Sequence, residues 1–247
     1  MERNEEDVEI RMPNKPFRFK QFDIYQDRSA MKVGTDAILL SVWARVAGVL
    51  DILDVGTGTG ILALMSAQRN TKAIVEAVEI DNASAEDAAL NFSISPYSDR
   101  IFLHTCDFLD FNTARTYDLI ISNPPYFSNS IRASDPSRSA ARHDDSLPSA
   151  AFLEKCAVLL KEHGTVAVIF PKLQLEKWET EARLHGFFPV RICHVYTLPH
   201  KDSQRVMVEY KKKETEEVEM ESILIEKSPG QYSDQFKAIT REFFLKG

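Results

Sequence analysis

No stretch of about 18 consecutive apolar residues occurs in the sequence, so no segment reads as a membrane-spanning helix. The opening residues, MERNEEDVEIRMPNKPFRF, lack the basic start and apolar run of a secretory signal. Cysteine is scarce. Cys106, Cys156 and Cys193 stand far apart among apolar residues, which excludes a disulfide framework or a metal-ligand spacing and points to buried free thiols. The six histidines are scattered and suggest neither a metal cluster nor a catalytic triad. Internal repeats and low-complexity linkers are absent too. These absences lead to the expectation of a cytosolic protein without a bound metal or membrane contact. Positive charge is in deficit: 30 Lys and Arg against 37 Asp and Glu give a net charge of -7. That argues against a general nucleic-acid coat but leaves room for a local basic face.

What is present reads as one domain, because 247 residues fall just below the length at which cores split. Apolar strand-like runs alternate with helical patterns. The strand candidates are 52–55, 73–80, 101–104, 117–122, 165–170, 190–196 and 205–210, several of them apolar almost throughout, as strands buried on both faces are. Ala85, Ala88, Ala89 and Phe92 lie at helical spacing, with Pro96 as a stop. Phe152, Leu153, Cys156, Leu159 and Leu160 form a second stripe, with Ser149 as N-cap and Gly164 past its end. A third helix is expected over 172–186. Before the first strand, Ile38, Leu39, Val42, Trp43 and Val46 form another stripe, capped by Thr35 and Asp36 and ended by Gly48. This alternation predicts an α/β fold: a seven-stranded, mainly parallel sheet with helices on both faces. The last two strands are joined by residues 197–204, too short for a parallel crossover, so they should form an antiparallel hairpin. The charged stretch KKKETEEVEMES after Tyr210 reads as a solvated connection. A short strand at 223–225 and a helix over 233–245 should pack back onto the core. The resulting division is an arm and cap helix (1–50), a core (51–210) and a C-terminal strand and helix (211–247).

The first core strand ends in Asp54-Val-Gly56-Thr-Gly58-Thr-Gly60 and runs into a helix. A strand, a glycine loop and a helix N-terminus together offer bare backbone N–H groups to a ligand. The dinucleotide pattern G-x-G-x-x-G fails because Ile61 holds its third position, and no Gly-Lys-Ser/Thr makes a phosphate loop. The second strand ends in Glu79-Ile-Asp81, where a carboxylate can accept both hydroxyls of a ribose. The fourth ends in Ser122-Asn123-Pro124-Pro125-Tyr126, whose prolines stop the ladder at the edge where open α/β sheets bind ligands.

The glycine loop with its acidic partner resembles class I S-adenosylmethionine-dependent methyltransferases, a Rossmann-like fold. The resemblance implies that Gly56, Gly58 and Gly60 lie under the methionine part of the cofactor and that Asp54 helps hold its amino group. Glu79 would bind the ribose, and Asp107 with Phe108 would meet the adenine, though Asp107 also reads as an ordinary turn residue. Asn-Pro-Pro-Tyr resembles the motif of methyltransferases acting on planar nitrogen. An exocyclic amino lone pair is delocalised into its ring. The Asn123 side-chain oxygen and the Pro124 carbonyl can accept its two N–H groups and favour the pyramidal form, while Tyr126 stacks on the base.

The segment from Phe17 to Leu40, with its Lys32-Val-Gly-Thr35-Asp36 block, narrows the resemblance to the bacterial tRNA(Val) adenine-N6 methyltransferases, whose target is adenosine 37 beside the anticodon. It runs from Phe17 to Tyr210 and onward to the C-terminus. It implies that Lys32 and Thr35 lie over the cofactor, with a helix cap and a solvated lysine as their plainer readings. Two stretches suit RNA contacts: Lys15, Arg18 and Lys20 among Phe17, Phe19 and Phe22, and Arg132, Arg138 and Arg142 in a long flap over 128–148. A strand with buried Phe and solvated cations is the alternative for the first. The expected partner is tRNA, met by a monomer. Rival substrates are guanine-N2 of RNA or a release-factor glutamine. The release-factor enzymes carry a helical domain ahead of the core, and only about 50 residues precede the first strand here. A cofactor-binding module without catalysis is disfavoured by the intact Asn123–Tyr126 motif.

Overall fold

Strands buried on both faces build the centre of the molecule. The computed structural model describes residues 15–124 and 147–245. A small antiparallel pair, β1 (Phe17–Arg18) and β2 (Asp23–Ile24), precedes α1 (Thr35–Trp43). The core then runs β3 (Asp51–Val55), α2 (Ile61–Arg69), β4 (Ile74–Glu79), α3 (Asn82–Ile94), β5 (Ile101–Thr105), β6 (Tyr117–Ser122), α4 (Ser149–Leu159), β7 (Leu160–Pro171), α5 (Leu175–Leu184), β8 (Phe188–Tyr196) and β9 (Arg205–Lys211). β10 (Glu219–Leu224), a second small pair, β11 (Glu226–Ser228) with β12 (Gln231–Tyr232), and α6 (Asp234–Thr240) complete it.

The main sheet has eight strands in the order β10-β8-β9-β7-β6-β3-β4-β5. All neighbours are parallel except that β9 runs against both β7 and β8, which is the expected hairpin. Period-two side chains divide the core. Ile52, Ile121, Ala167 and Met207 pack with α1, α2 and α3, whereas Leu53, Ile120, Val168 and Val208 pack with α4 and α5. Among the described residues no helix is long and apolar enough to cross a membrane.

The eighth strand corrects the sheet of seven, and it begins inside the charged stretch read as a solvated connection. Its charges are matched rather than solvated. Arg191 Nε donates to Glu221 Oε1 at 2.8 Å, and its guanidinium lies 4.2 Å from the Trp43 ring centre. Trp43 Nε1 donates to Glu221 Oε2 at 2.7 Å, and Arg45 pairs with Glu219. Ile223, two residues after Glu221, points to the same face and enters the core.

Several helix ends also differ from expectation. Gly34, not Thr35 or Asp36, is the N-cap of α1 and no side chain caps it, because Arg205 draws the Asp36 carboxylate away at 2.7 Å. That helix ends at Trp43, where Arg69 takes up the Ser41 and Ala44 carbonyls, well before Gly48. Ser149 is the first helical residue of α4, and Pro148 is its N-cap. Gly164 lies within β7, where a Cβ would stand 2.7 Å from the Leu160 side chain and 3.0 Å from the Tyr117 carbonyl oxygen. The third helix is split into a 3-10 turn (Lys172–Gln174) and α5, and the terminal helix is shorter than 233–245. On α3, Ala89 is exposed, and the buried face runs through Ser84, Asp87, Ala88, Asn91 and Phe92.

Candidate active site

Four loops leave the carboxyl edge of the sheet side by side. Val55 pairs with Val78 on one side and with Ser122 on the other, and Glu79 pairs with Thr105. The glycine loop, the Glu79 turn, the Cys106–Asp107 turn and Asn123 therefore start from adjacent strand ends, with neighbouring strands about 4.8 Å apart.

The loop after β3 takes its shape from three left-handed glycines, with φ of 69° at Gly56, 57° at Gly58 and 88° at Gly60. The three differ in surroundings. A Cβ on Gly60 would meet the Phe92 ring at 2.4 Å, so this glycine lets α2 and α3 approach. A Cβ on Gly56 or Gly58 would meet nothing within 4 Å, so the space above the loop is open. Backbone bonds from Gly56 N and Thr57 N to the Val78 carbonyl oxygen, 2.9 and 3.1 Å, pin the loop to β4.

Two carboxylates brace it from inside. Asp54 is fully buried, and its Oδ2 accepts from the Thr57 hydroxyl at 2.5 Å and from Ala63 N at 3.1 Å. Its Oδ1 is buried with no hydrogen-bond partner among the described residues. Burial pushes the Asp54 carboxyl up to about 7; the nearby Glu79 charge adds to this, and the Thr57 and Ala63 bonds oppose it. Glu79 accepts from Gly58 N at 2.7 Å and from Asp81 N at 2.9 Å, so it holds the loop as well as facing the site. Asp107 is half-buried and accepts from Leu109 N at 2.8 Å, a local turn bond. The Phe108 side chain turns into the core, its ring centre 5.6 Å from that of Phe152. At the end of β6, Ser122 donates its hydroxyl to the Val55 carbonyl oxygen at 2.8 Å, tying the two strands where Asn123 begins. Asn123 is half-buried and Pro124 buried. Tyr126, Arg132, Arg138 and Arg142 lie outside the described residues.

Residues the sequence reading passed over complete the edge. Ile80, between Glu79 and Asp81, is 63% exposed at a strand end; an apolar residue flanked by two acids was its only signal. Asp87 and Asn91 on α3 fasten a strap of chain. Asp87 Oδ2 accepts from Arg28 N and Ser29 N at 2.9 and 2.8 Å. Asn91 accepts from Tyr25 N at 2.8 Å and donates to the carbonyl oxygens of Tyr25 and Thr59, joining the strap to the glycine loop. Lys32 belongs to the strap: its ammonium donates to the carbonyls of Gln26 and Ser29. Thr35 is exposed at the start of α1, one residue before Asp36, whose partner Arg205 pairs with the last residue of β7. Lys32 and Thr35 are thus carried toward the same edge as the glycine loop.

Lys15, Arg18 and Lys20 are not. Gln21 accepts from the Tyr97 hydroxyl at 2.7 Å, and Lys20 donates to the Arg241 carbonyl oxygen at 2.6 Å. Tyr97 follows the end of α3 and precedes β5, so this corner sits at the opposite, amino edge of the sheet. Phe19 and Phe22 are buried in the core there and present no ring to a base. Among the described residues no three His, Cys, Asp or Glu side chains gather as a metal site would need.

The family described as "Methyltransferase small domain" matches residues 28–177, a span containing the glycine loop, Glu79, Asp107 and Asn123. The chain is 41% identical over 235 residues to a Bacteroides thetaiotaomicron protein named tRNA1(Val) (adenine(37)-N6)-methyltransferase, with 95% of this chain and 99% of that one covered. A Vibrio campbellii protein of the same name is 39% identical, with 96% and 98% covered. Among solved structures, an Agrobacterium tumefaciens protein described as a predicted O-methyltransferase superposes with a TM-score of 0.65 at 18% identity, covering 84% of this chain and 96% of that one. The ribosomal protein L11 methylase of Lactobacillus delbrueckii subsp. bulgaricus does so with 0.50 at 21% identity, covering 72% and 77%. At these identities the structural likeness concerns the fold. By sequence the chain belongs to the methyltransferase small-domain family, within its tRNA1(Val) (adenine(37)-N6)-methyltransferase group.

Proposed function

We propose that this protein methylates N6 of adenosine 37 in tRNA1(Val), with S-adenosylmethionine as donor. The observation that carries the reading is the pairing of Val55 with Ser122, which starts the glycine loop and Asn123 from neighbouring strand ends. Donor and acceptor sites are then adjacent, and positioning supplies much of the acceleration.

The residues present fit the cofactor. Gly56 and Gly58 leave open space above bare backbone, and the surrounding carboxylates suit a ligand bearing an ammonium, a sulfonium and two ribose hydroxyls. When bound, S-adenosylmethionine supplies an electrophilic methyl group. Gly56, Gly58 and Gly60 shape the cradle beneath its methionine part. Asp54 lies under that cradle and supplies negative potential toward the ammonium. Glu79 has lone pairs left for the ribose hydroxyls after accepting from Gly58 and Asp81. Ile80 offers an apolar face to the adenine, with Asp107 and the backbone of Phe108 at its edge. Lys32 and Thr35 border the same space from the strap and α1.

Toward the target base, the Asn123 side-chain oxygen and the Pro124 carbonyl accept the two N–H groups of the adenine amino nitrogen. This holds the nitrogen with its lone pair aimed at the donor side of the site. Tyr126 is assigned to stack on the base, a contact worth about 1–3 kcal/mol. The whole chain acts as one catalytic unit, a monomer in the cytoplasm.

The test is incubation of purified protein with labelled cofactor and total RNA from a strain lacking the gene, followed by nucleoside mapping. The expected product is N6-methyladenosine at position 37 of tRNA1(Val). Label on guanosine, or on protein and not RNA, would replace the reading.

A further inference from the structure

Beside Asn123 the sheet carries a raised wall. Ser122 ends β6 opposite Val168, but β7 continues through Ile169 and Phe170 to Pro171, paired all the way with β9. Three further residues project about 10 Å past the level of Ser122. The wall is capped by the 3-10 turn Lys172–Gln174 and by the 197–204 turn between β8 and β9, joined where Lys172 N donates to the Gln204 carbonyl oxygen at 3.1 Å.

This crest has the chemistry of a polyanion contact. Lys172, His200 and Lys201 are exposed, and no carboxylate among the described residues pairs with either lysine. Burial holds the His194 imidazole below its ordinary range, and the nearby Lys172 ammonium adds to this. Leu173, 98% exposed, sets an apolar side chain in water on a hydrogen-bonded turn. Exposed Glu176 and Asp202 flank the patch, so its potential is local. At the amino edge, where β9 ends and β10 begins, stand the exposed Glu214, Glu216, Glu217 and Glu219.

We propose that the RNA backbone crosses this crest, with Lys172, His200 and Lys201 against phosphates and Leu173 against a base or ribose face. The inference rests on the RNA-methylating reading above and adds a path for the substrate. A strand laid there reaches Asn123 from the wall side, away from the corner that carries Glu214, Glu216, Glu217 and Glu219.

The test compares the charge reversals Lys172→Glu/Lys201→Glu with Lys15→Glu/Lys20→Glu at the opposite edge. Affinity for unmodified tRNA1(Val) transcript is measured from 50 to 200 mM salt, with calorimetric affinity for S-adenosylmethionine and thermal midpoint on the same samples. The crest pair should lose at least about tenfold in RNA affinity and reduce the salt slope by about two units, at roughly one unit per phosphate contact. Its cofactor affinity and midpoint should match the wild type, and the opposite pair should bind RNA within about twofold of it. Leu173→Ser should raise the KM for RNA without moving the midpoint. Crest variants that bind RNA like the wild type, or equal losses from both pairs, overturn the path while leaving the methylation reading intact. A wild-type protein that neither binds nor methylates the transcript overturns both.

Discussion

Asp54 is a residue whose chemistry the fold changes strongly. Sealed beneath the glycine loop, its carboxyl is raised from 3.8 to about 7. A folded-state value above the unfolded one means the native state binds the extra proton. The stabilisation is therefore complete below about 4 and lost as pH rises toward 7. A ligand carrying an ammonium and a sulfonium favours the ionised form, so cofactor binding near pH 7 should release about half a proton and tighten as pH rises. Calorimetry in buffers of different ionisation enthalpy reads this directly; wild type should show the release and Asp54→Asn should not. Equal heats in all buffers would remove Asp54 from the linkage. Glu79 braces Gly58, and the proposed reading gives it a second task, facing the ribose. Glu79→Ala should weaken cofactor binding by about 1.5–3 kcal/mol while the protein still unfolds cooperatively. Glu79→Gln, which keeps an acceptor for Gly58 N, should weaken it less.

At the scale of elements, α3 holds the site together from behind. Its buried face mixes Phe92 with Asp87 and Asn91 because it covers backbone N–H and C=O groups of the strap as well as apolar side chains. Asn91→Ala should cost about 1–3 kcal/mol of stability by leaving buried backbone groups without partners. Because Asn91 also ties the strap to Thr59, the variant should raise the KM for the cofactor more than it lowers kcat. Gly60→Ala should be worse for folding: about 1–2 kcal/mol for a left-handed L-residue, plus displacement of the Phe92 ring. Urea unfolding of both variants checks the pair. The same helix shows what a sequence can disclose. Its place is legible from apolar spacing, but that spacing turns Ala89 inward and passes over Asp87, since a polar residue buried against backbone leaves no periodic signal. Of β10 only the end was legible, as the short strand at 223–225, for the same reason: Glu219 and Glu221 look solvated until Arg45 and Arg191 arrive from distant elements.

Over the whole molecule, the motifs were legible where local geometry demands a residue type. Three alternating glycines need left-handed backbone, and paired prolines must end a ladder. That β9 would lie between β7 and β8, and which edge each basic residue would reach, depends on strand order, which no local pattern encodes. Lys15, Arg18 and Lys20 are neighbours in sequence of the Lys32 block, yet the chain between them runs along α3 from one edge of the sheet to the other. On the proposed reading the fold separates a cofactor half, built on β3, β4 and β5, from a target half beginning at β6. That separation makes a sharp claim: the two halves can be damaged independently. Asn123→Ala, assayed for S-adenosylmethionine affinity by calorimetry and for single-turnover methylation of unmodified tRNA1(Val), tests it most directly. The cofactor should bind within about twofold of wild type while methyl transfer falls by about 100-fold or more, the scale of losing one transition-state hydrogen bond in a preorganised site. Methylation near the wild-type rate would contradict the placement of the target nitrogen at Asn123.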